Sequence, residues 1–244
     1  MIEEYTKFDE DGFCVHQSVF KDDIINDLNV YSETLAAQRG HDKNRKWYGW
    51  ESVKNMNEEE FSSVDWAYYW SEHASNPSID FIKKELSKYN DTILGTDNWV
   101  WYSCDFITLK PDMNFVRPHI DTPYRFSEFK YAERHLGIQY GIPLDDVDEI
   151  NGATGFVPNS HKYILDGKNI QTHLESWDIF FLDNYIQPRI QKGGFIMWNP
   201  RLLHSTMPNR TKEDRKMLLI HAADKETSKR LMTVDASINS TLRK

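Results

Sequence analysis

From Trp99 onward the chain is written in short runs of β-branched and aromatic residues, each closed by turn-forming positions, and this texture constrains the fold more than any other feature. The runs are Trp99–Leu109, His135–Ile142, Ala153–Val157, Gly194–Trp198 and Lys216–His221. Pro111, Pro118, Pro143, Pro158, Pro200 and Pro208 punctuate them. Proline lacks the amide hydrogen that a strand ladder needs, so it gathers at strand ends and turns. Many short strands with such punctuation predict a sandwich or barrel rather than a parallel sheet with crossover helices. The N-terminal third reads differently. Ile24, Ile25, Leu28 and Tyr31 recur at helical spacing, as do residues in Glu58–Trp70, and Ile79, Ile82 and Leu86 share one helical face. No repeat, low-complexity tract or linker divides the 244 residues, and an all-β unit of roughly 200–250 residues is normal as one domain. The expectation is a single domain over 1–244: a helical part at about 1–98, a β-barrel at about 99–223 and a tail at about 224–244.

Charge and cysteine usage exclude several function classes. A net charge of −9 opposes general binding to a phosphate backbone, which needs a basic surface, so no nucleic-acid partner is expected. No apolar run approaches the ~20 residues of a membrane span, and no membrane partner is expected. Met1-Ile2-Glu3-Glu4-Tyr5 is acidic and lacks the basic start of a signal peptide. Cys14 and Cys104 read as reduced core thiols, which points to the cytoplasm.

One short constellation carries chemistry. His119-Ile120-Asp121 follows Arg117-Pro118, where a strand begins or ends. On extended backbone residues two apart face the same way, so His119 and Asp121 can grip one ion together. A chain of this composition contains roughly one His-x-Asp by chance, so the tripeptide alone is a weak signal. A second histidine would complete a two-His, one-carboxylate face, which suits non-haem Fe(II) and leaves coordination positions open. His204 is the favoured third ligand, placed after the strand-like run Gly194–Trp198, with His221 as runner-up. His173-Leu174-Glu175 repeats the spacing in a polar stretch that reads as a loop. The competing account is a set of satisfied core or surface histidines.

These residues line up with a known family. Phe8-Asp9-Glu10-Asp11-Gly12-Phe13 resembles its opening, His119-x-Asp121 its first two iron ligands, and Asn151-Gly152 with Pro158-Asn159-Ser160-His161 its Asn-Gly and Pro-x-Ser-His segment. Gly193-Gly194-Phe195 and the run to His204 resemble the strand leading to the third ligand, and Arg215 stands at the family's offset beyond it. From about Tyr5 to His221 the chain resembles the phytanoyl-CoA dioxygenase-like group of Fe(II)/2-oxoglutarate-dependent oxygenases. Two positions depart from the pattern: Ile150 stands where an acidic residue is common, and Asn159 where glycine is. Asparagine is the next best residue for a left-handed turn, so the backbone can survive the exchange.

The resemblance implies a mainly β fold, a double-stranded β-helix (a jelly-roll or cupin-like barrel) with flanking N-terminal helices. It implies Fe(II) on His119, Asp121 and His204, 2-oxoglutarate as cosubstrate, and O2. Arg215 would bind the far carboxylate of 2-oxoglutarate, with Thr206 as its hydroxyl partner and Tyr102 beside the cosubstrate. The reaction implied is hydroxylation of an unactivated C–H bond of a small-molecule substrate, with release of succinate and CO2. A carboxylate at Asp121 favours hydroxylation over halogenation, which needs room there for halide. Arg117, Arg125, Gln139 and Trp198 are the substrate-side candidates. The ring-dense segment Trp47-Tyr48-Gly49-Trp50 with Trp66, Tyr68, Tyr69 and Trp70 is either helix-on-sheet core or a wall over the substrate. The acidic net charge and the absence of a Lys/Arg cluster favour a polar metabolite over an acyl-CoA. The alternatives are a metal-binding barrel without oxygenase activity and an oxygenase acting on a macromolecular side chain or nucleobase.

Overall fold

A computed structural model of the chain describes residues 2–38, 76–111, 118–121, 134–163 and 180–230. The helical reading of Glu58–Trp70, the aromatic segment from Trp47 to Trp70, Arg117, Arg125, His173 and Glu175 lie outside the described residues. The elements in chain order are α1 (Ile2–Asp11), β1 (Phe13–His16), α2 (Asp22–Gln38), α3 (Pro77–Leu94), β2 (Trp99–Leu109), β3 (Gly137–Pro143), β4 (Thr154–Phe156), α4 (Ser160–Tyr163), β5 (Phe195–Trp198), β6 (His204–Thr206) and β7 (Arg215–Asp224).

The strands form a five-stranded sheet in the order β1-β5-β3-β7-β2 and a two-stranded sheet β4-β6. Every pairing is antiparallel. The described strands make two open sheets rather than a closed barrel. β2 runs beside β7 along almost its full length, with an irregularity between Trp101 and Ser103.

Register sorts the large sheet into two faces. Tyr140 lies opposite both Met197 and Ile220, and Cys104 opposite Ile220. These residues, with Phe106, Ile138, Ile142, Phe195 and Leu218, form one buried cluster with Ile25 and Leu28 of α2 and Ile79, Ile82, Leu86 and Tyr89 of α3. Burying each such aliphatic or aromatic side chain contributes about 1.5–3 kcal/mol, which is why helices of modest intrinsic propensity dock here. α3 starts where Asn76 accepts from the amides of Ser78 and Ile79 at 2.8 and 3.3 Å, with Pro77 in the first turn, and it stops at Gly95. The other face carries Phe13, Ile196 and Trp198, which pack on Phe156, Ile190 and Leu202 from the region of the small sheet. β3 and β5 are buried at every position, because both faces are covered; the alternation expected along a half-exposed strand is absent from them.

The N-terminus holds an element that sequence texture did not suggest. The stretch from Phe8 to Phe13 divides into the end of α1 and the start of β1, and Gly12 makes the corner at φ 85. A Cβ there would sit 2.5 Å from His161 Nδ1. β1 then pairs with β5, Phe13 opposite Trp198. Asn159 adopts φ 66, the left-handed turn position that asparagine tolerates.

At the far end of β7, Asp224 is buried, its side chain 1 % exposed. It accepts from Arg134 Nη1 and Nη2 at 2.8 and 3.2 Å, Asn98 Nδ2 at 2.8 Å, and the Thr227 amide and hydroxyl at 2.9 and 3.0 Å. These bonds tie β7 to the entrance of β2 and to the helical residues 225–230. The hydrogen bonds from Arg134 and Thr227 outweigh burial and hold the Asp224 carboxyl below its ordinary range. Its folded pKa is depressed, so its contribution is present above the unfolded pKa and lost as pH falls through the folded one. Asp224→Ala is expected to cost about 2–4 kcal/mol, read as a fall of roughly 4–16 °C in melting temperature at neutral pH. That difference from the parent should shrink in acid.

Candidate metal centre

The small sheet builds the site. His204 opens β6 and lies opposite Phe156 of β4. On its other side His119 forms an isolated antiparallel bridge to His204, each amide donating to the other's carbonyl at 2.9 Å. This pairing brings the two rings to a centroid separation of 4.4 Å. Asp121, two residues on, faces the same way as His119, and its amide donates to the Pro200 carbonyl at 2.9 Å. One donor atom each from His119, Asp121 and His204 lies within 4.8 Å of the others, and among the described residues this is the trio close enough to hold a metal ion.

The local chemistry fits a cation. His204 Nδ1 is 2.8 Å from the Leu202 carbonyl. A carbonyl only accepts, so Nδ1 carries the proton and Nε2 keeps its lone pair for the site. Nε2 lies 3.7 Å from Asp121 Oδ1. Asp121 Oδ2 is buried without a hydrogen-bond partner, although a quarter of the side chain remains open at 25 % exposure. Burial pushes the Asp121 carboxyl up to about 6, partly opposed by His119, and pushes His204 down to about 4. A buried, unsatisfied carboxylate oxygen costs on the order of 1–3 kcal/mol or more, a cost that an ion between the three side chains removes. Two imidazoles and a carboxylate on one face are the donor set of non-haem Fe(II) sites. Phe156 stacks beside His204 at 6.0 Å and Trp198 flanks it at 5.8 Å, giving the ring apolar walls.

Arg215 begins β7 and is 3 % exposed. Its Nη2 donates to the Gly152 carbonyl at 3.1 Å, Nη1 reaches Met217 Sδ at 3.8 Å, and Nε has no partner. Among the described residues no carboxylate lies within ion-pair distance of it. Burial alone lowers its pKa to about 10. A desolvated guanidinium without a counter-charge fits an anionic ligand, and its planar fork matches a carboxylate. Gly152 sits at φ 86, and a Cβ there would lie 2.6 Å from the Met207 carbonyl, so the loop carrying Arg215's acceptor packs against the residue after Thr206. Thr206 itself pairs with Thr154.

The remaining candidates divide between two regions. Trp198, Gln139 and His221 form one cross-strand row on β5, β3 and β7, and all three are buried. Tyr102 meets the His221 ring edge-on at 5.1 Å, which places it roughly 20 Å of strand away from Arg215. His221, the runner-up ligand, belongs to this row and not to the trio; burial lowers its pKa to about 3. Asn151 closes a turn, accepting from the Asp148 amide and donating to the Asp146 carbonyl. Ser160 accepts from the Leu203 amide at 2.8 Å, a structural contact. Arg210 is exposed. Arg201 adjoins Pro200 at a strand end, which by sequence is a surface-like setting, yet it is 2 % exposed, with Nη2 on the Arg134 carbonyl at 3.2 Å. The turn it occupies is folded under the chain that carries His135. Sequence reading also missed the carbonyls of Pro200, Leu202 and Gly152, which hold the functional groups; a backbone acceptor has no residue-type signature.

Comparison with solved structures supports the same architecture. EctD from S. alaskensis, solved with 2-oxoglutarate and 5-hydroxyectoine, matches with TM-score 0.66 at 15% identity, over 93% of this chain and 77% of that one. SnoK, a non-heme alpha-ketoglutarate-dependent carbocyclase from nogalamycin biosynthesis, matches with TM-score 0.64 at 14% identity, over 92% and 84%. SnoN, an epimerase from the same biosynthesis, matches with TM-score 0.62 at 14% identity, over 91% and 82%. At these identities the likeness establishes the fold, a double-stranded β-helix whose described strands form two open sheets. No curated protein sequence matches the chain. Among the described residues no helix is long and apolar enough to cross a membrane. The phytanoyl-CoA dioxygenase (PhyH) family model matches residues 8–217, most of the chain, and the chain therefore belongs to that family of Fe(II)- and 2-oxoglutarate-dependent, dioxygenase-type enzymes.

Proposed function

We propose that this enzyme hydroxylates an unactivated C–H bond of a small, polar metabolite and releases succinate and CO2. The observation that carries the reading is the presence of two incompletely satisfied groups: the donor trio of His119, Asp121 and His204 with its orphaned carboxylate oxygen, and the buried Arg215 guanidinium, whose Nε has no partner and which among the described residues has no carboxylate at ion-pair distance. His119, Asp121 and His204 hold Fe(II), and Arg215 with Thr206 holds the far carboxylate of 2-oxoglutarate. Bound there, Fe(II) with 2-oxoglutarate and O2 supplies the oxidising chemistry that amino-acid side chains lack. The protein's own work is placement. The Leu202 carbonyl sets the His204 tautomer, the Pro200 carbonyl fixes the backbone of Asp121, and Phe156 and Trp198 keep water from the His204 ring.

The substrate side is assigned to Trp198 and Gln139 with Arg117 and Arg125; Tyr102, expected above beside the cosubstrate, is read with them instead, because it packs on His221 at the far end of β7 from Arg215. That set mixes hydrogen-bonding groups with rings and suits a compact polar molecule more than an acyl-CoA. The single-domain reading over 1–244 is supported by the core that α2 and α3 share with the large sheet. Buried thiols at Cys14 and Cys104 accord with a cytoplasmic setting.

The test is succinate release by the Fe(II)-loaded enzyme with 2-oxoglutarate across a panel of polar metabolites, with mass analysis of the product. Substrate-dependent succinate together with the gain of one oxygen atom is the expected result. Substrate-dependent succinate with no oxygen gained would overturn hydroxylation in favour of epimerisation or ring closure, the reactions named for SnoN and SnoK. Succinate release triggered by acyl-CoA substrates alone would overturn the substrate class.

A further inference from the structure

We propose that Asp9, His135 and Asn199 form a hydrogen-bond relay that positions two of the three metal ligands. This rests on the ligand reading above. The turn from Asn199 to Leu202 supplies both acceptors that orient those ligands: the Pro200 carbonyl takes the Asp121 amide at 2.9 Å, and the Leu202 carbonyl takes His204 Nδ1–H at 2.8 Å. Displacing the turn therefore displaces Asp121 and the ring of His204 together.

Asn199 holds the turn from inside. Its backbone amide donates to the Gly12 carbonyl and its carbonyl accepts from the Leu202 amide, both at 2.8 Å. Its side-chain Oδ1 accepts from the Arg201 amide at 2.9 Å, and that bond fixes which end of the side chain is oxygen. The other end, Nδ2, donates to His135 Nδ1 at 3.1 Å. An amide nitrogen only donates, so Nδ1 of His135 accepts and its proton sits on Nε2, where Asp9 Oδ1 accepts at 3.2 Å. Donor and acceptor roles agree along the whole chain. Burial keeps His135 below its ordinary pKa, against the pull of Asp9, so the neutral ring this pattern requires is the one present near pH 7. The rings of Phe8 and Tyr5 make T-shaped contacts with the imidazole, centroids 5.1 and 6.2 Å away. Helix α1 thus reaches the metal site through three side chains and, beyond them, the backbone carbonyls of the turn. They are positioning residues.

Outer partners of metal ligands typically control 10–100-fold in affinity. The test uses the full chain, anaerobic and metal-free, titrated with Co(II) as a spectroscopic probe, for the parent and for Asn199→Ala, His135→Ala, the double variant and His204→Ala. Melting temperatures of the metal-free proteins are read alongside. Each relay variant is expected to bind Co(II) 10–100-fold more weakly, with a changed ligand-field spectrum. The double variant should be no more than about threefold worse than the weaker single one, because both changes break one chain. Lower melting temperatures with parental affinity and spectrum would show mere structural support and overturn the relay, as would losses that multiply in the double variant. Should Asn199→Ala fail to fold, His135→Ala decides by affinity and spectrum in the same way. Parental affinity in His204→Ala would instead overturn the ligand reading, and so separates the two failures.

Discussion

His119→Ala and His204→Ala are each expected to weaken Fe(II) binding by more than 100-fold and to abolish detectable substrate-dependent succinate release. The size follows from the donor count. Loss of an outer partner alone typically costs 10–100-fold; loss of a direct donor from a set of three leaves two anchors and an ion that exchanges with buffer. His119 and His204 are also bridged through their backbones, and alanine keeps those amide bonds, so the effect isolates the imidazoles. His221→Ala is the comparison. It removes a buried imidazole from the facing sheet, and Fe(II) affinity should stay within about threefold of the parent. Anaerobic Fe(II) titration checks both. Full activity in His119→Ala with abolished binding in His221→Ala would replace the ligand set.

Arg215→Ala is expected to raise the apparent 2-oxoglutarate constant by roughly two orders of magnitude or more, because each charge-assisted hydrogen bond to the far carboxylate is worth about 1.5–3 kcal/mol. Iron affinity without cosubstrate should hardly change. The metal-free protein should respond in the opposite sense. Among the described residues Arg215 keeps a desolvated charge beside a carbonyl and a thioether, and exchanging buried ionic groups, even paired ones, for well-packed apolar side chains of similar volume is often neutral or stabilising by about 1–4 kcal/mol. Arg215→Met therefore should melt higher than the parent while binding 2-oxoglutarate as poorly as Arg215→Ala. Arg210→Ala, at an exposed turn, should bind normally. Titration of 2-oxoglutarate into Fe(II)-loaded protein, followed by the metal-to-ligand absorption band, reads all four. Equal affinities in Arg215→Ala and Arg210→Ala would remove Arg215 from the cosubstrate site.

Much of the scaffold was legible along the chain. Trp99–Leu109 is a strand with the bounds its β-branched and aromatic content suggested, and Ile79, Ile82 and Leu86 mark the buried face of α3. These signals are local: a period of two or 3.6 is set by neighbours in sequence. β1 gave no such signal. Four residues, Phe13–His16, are too few for a period, and they are a strand because β5 offers them a free edge. The burial of Arg201 is illegible in sequence for the same reason. Its proline neighbour describes a turn, but nothing local says whether a turn is solvated or overlain by another segment, and this one is overlain.

The sequence by itself determined the strand-rich character, the helical face that covers the large sheet, and the residue types able to bind iron and a dicarboxylate. Tertiary structure decided which of those residues meet. His119 and His204 are joined by one antiparallel bridge between distant segments, and it is this bridge, not the His-x-Asp spacing, that separates His204 from His221. The Pro200 and Leu202 carbonyls that aim the ligands, and the isolation of Arg215 from any described carboxylate, likewise exist only once the chain has closed. The physical reason is that backbone acceptors are identical at every residue, and desolvation depends on everything packed around a group. Local sequence specifies donors and periods, while long-range closure specifies distances and burial, and chemistry at this site depends on the latter.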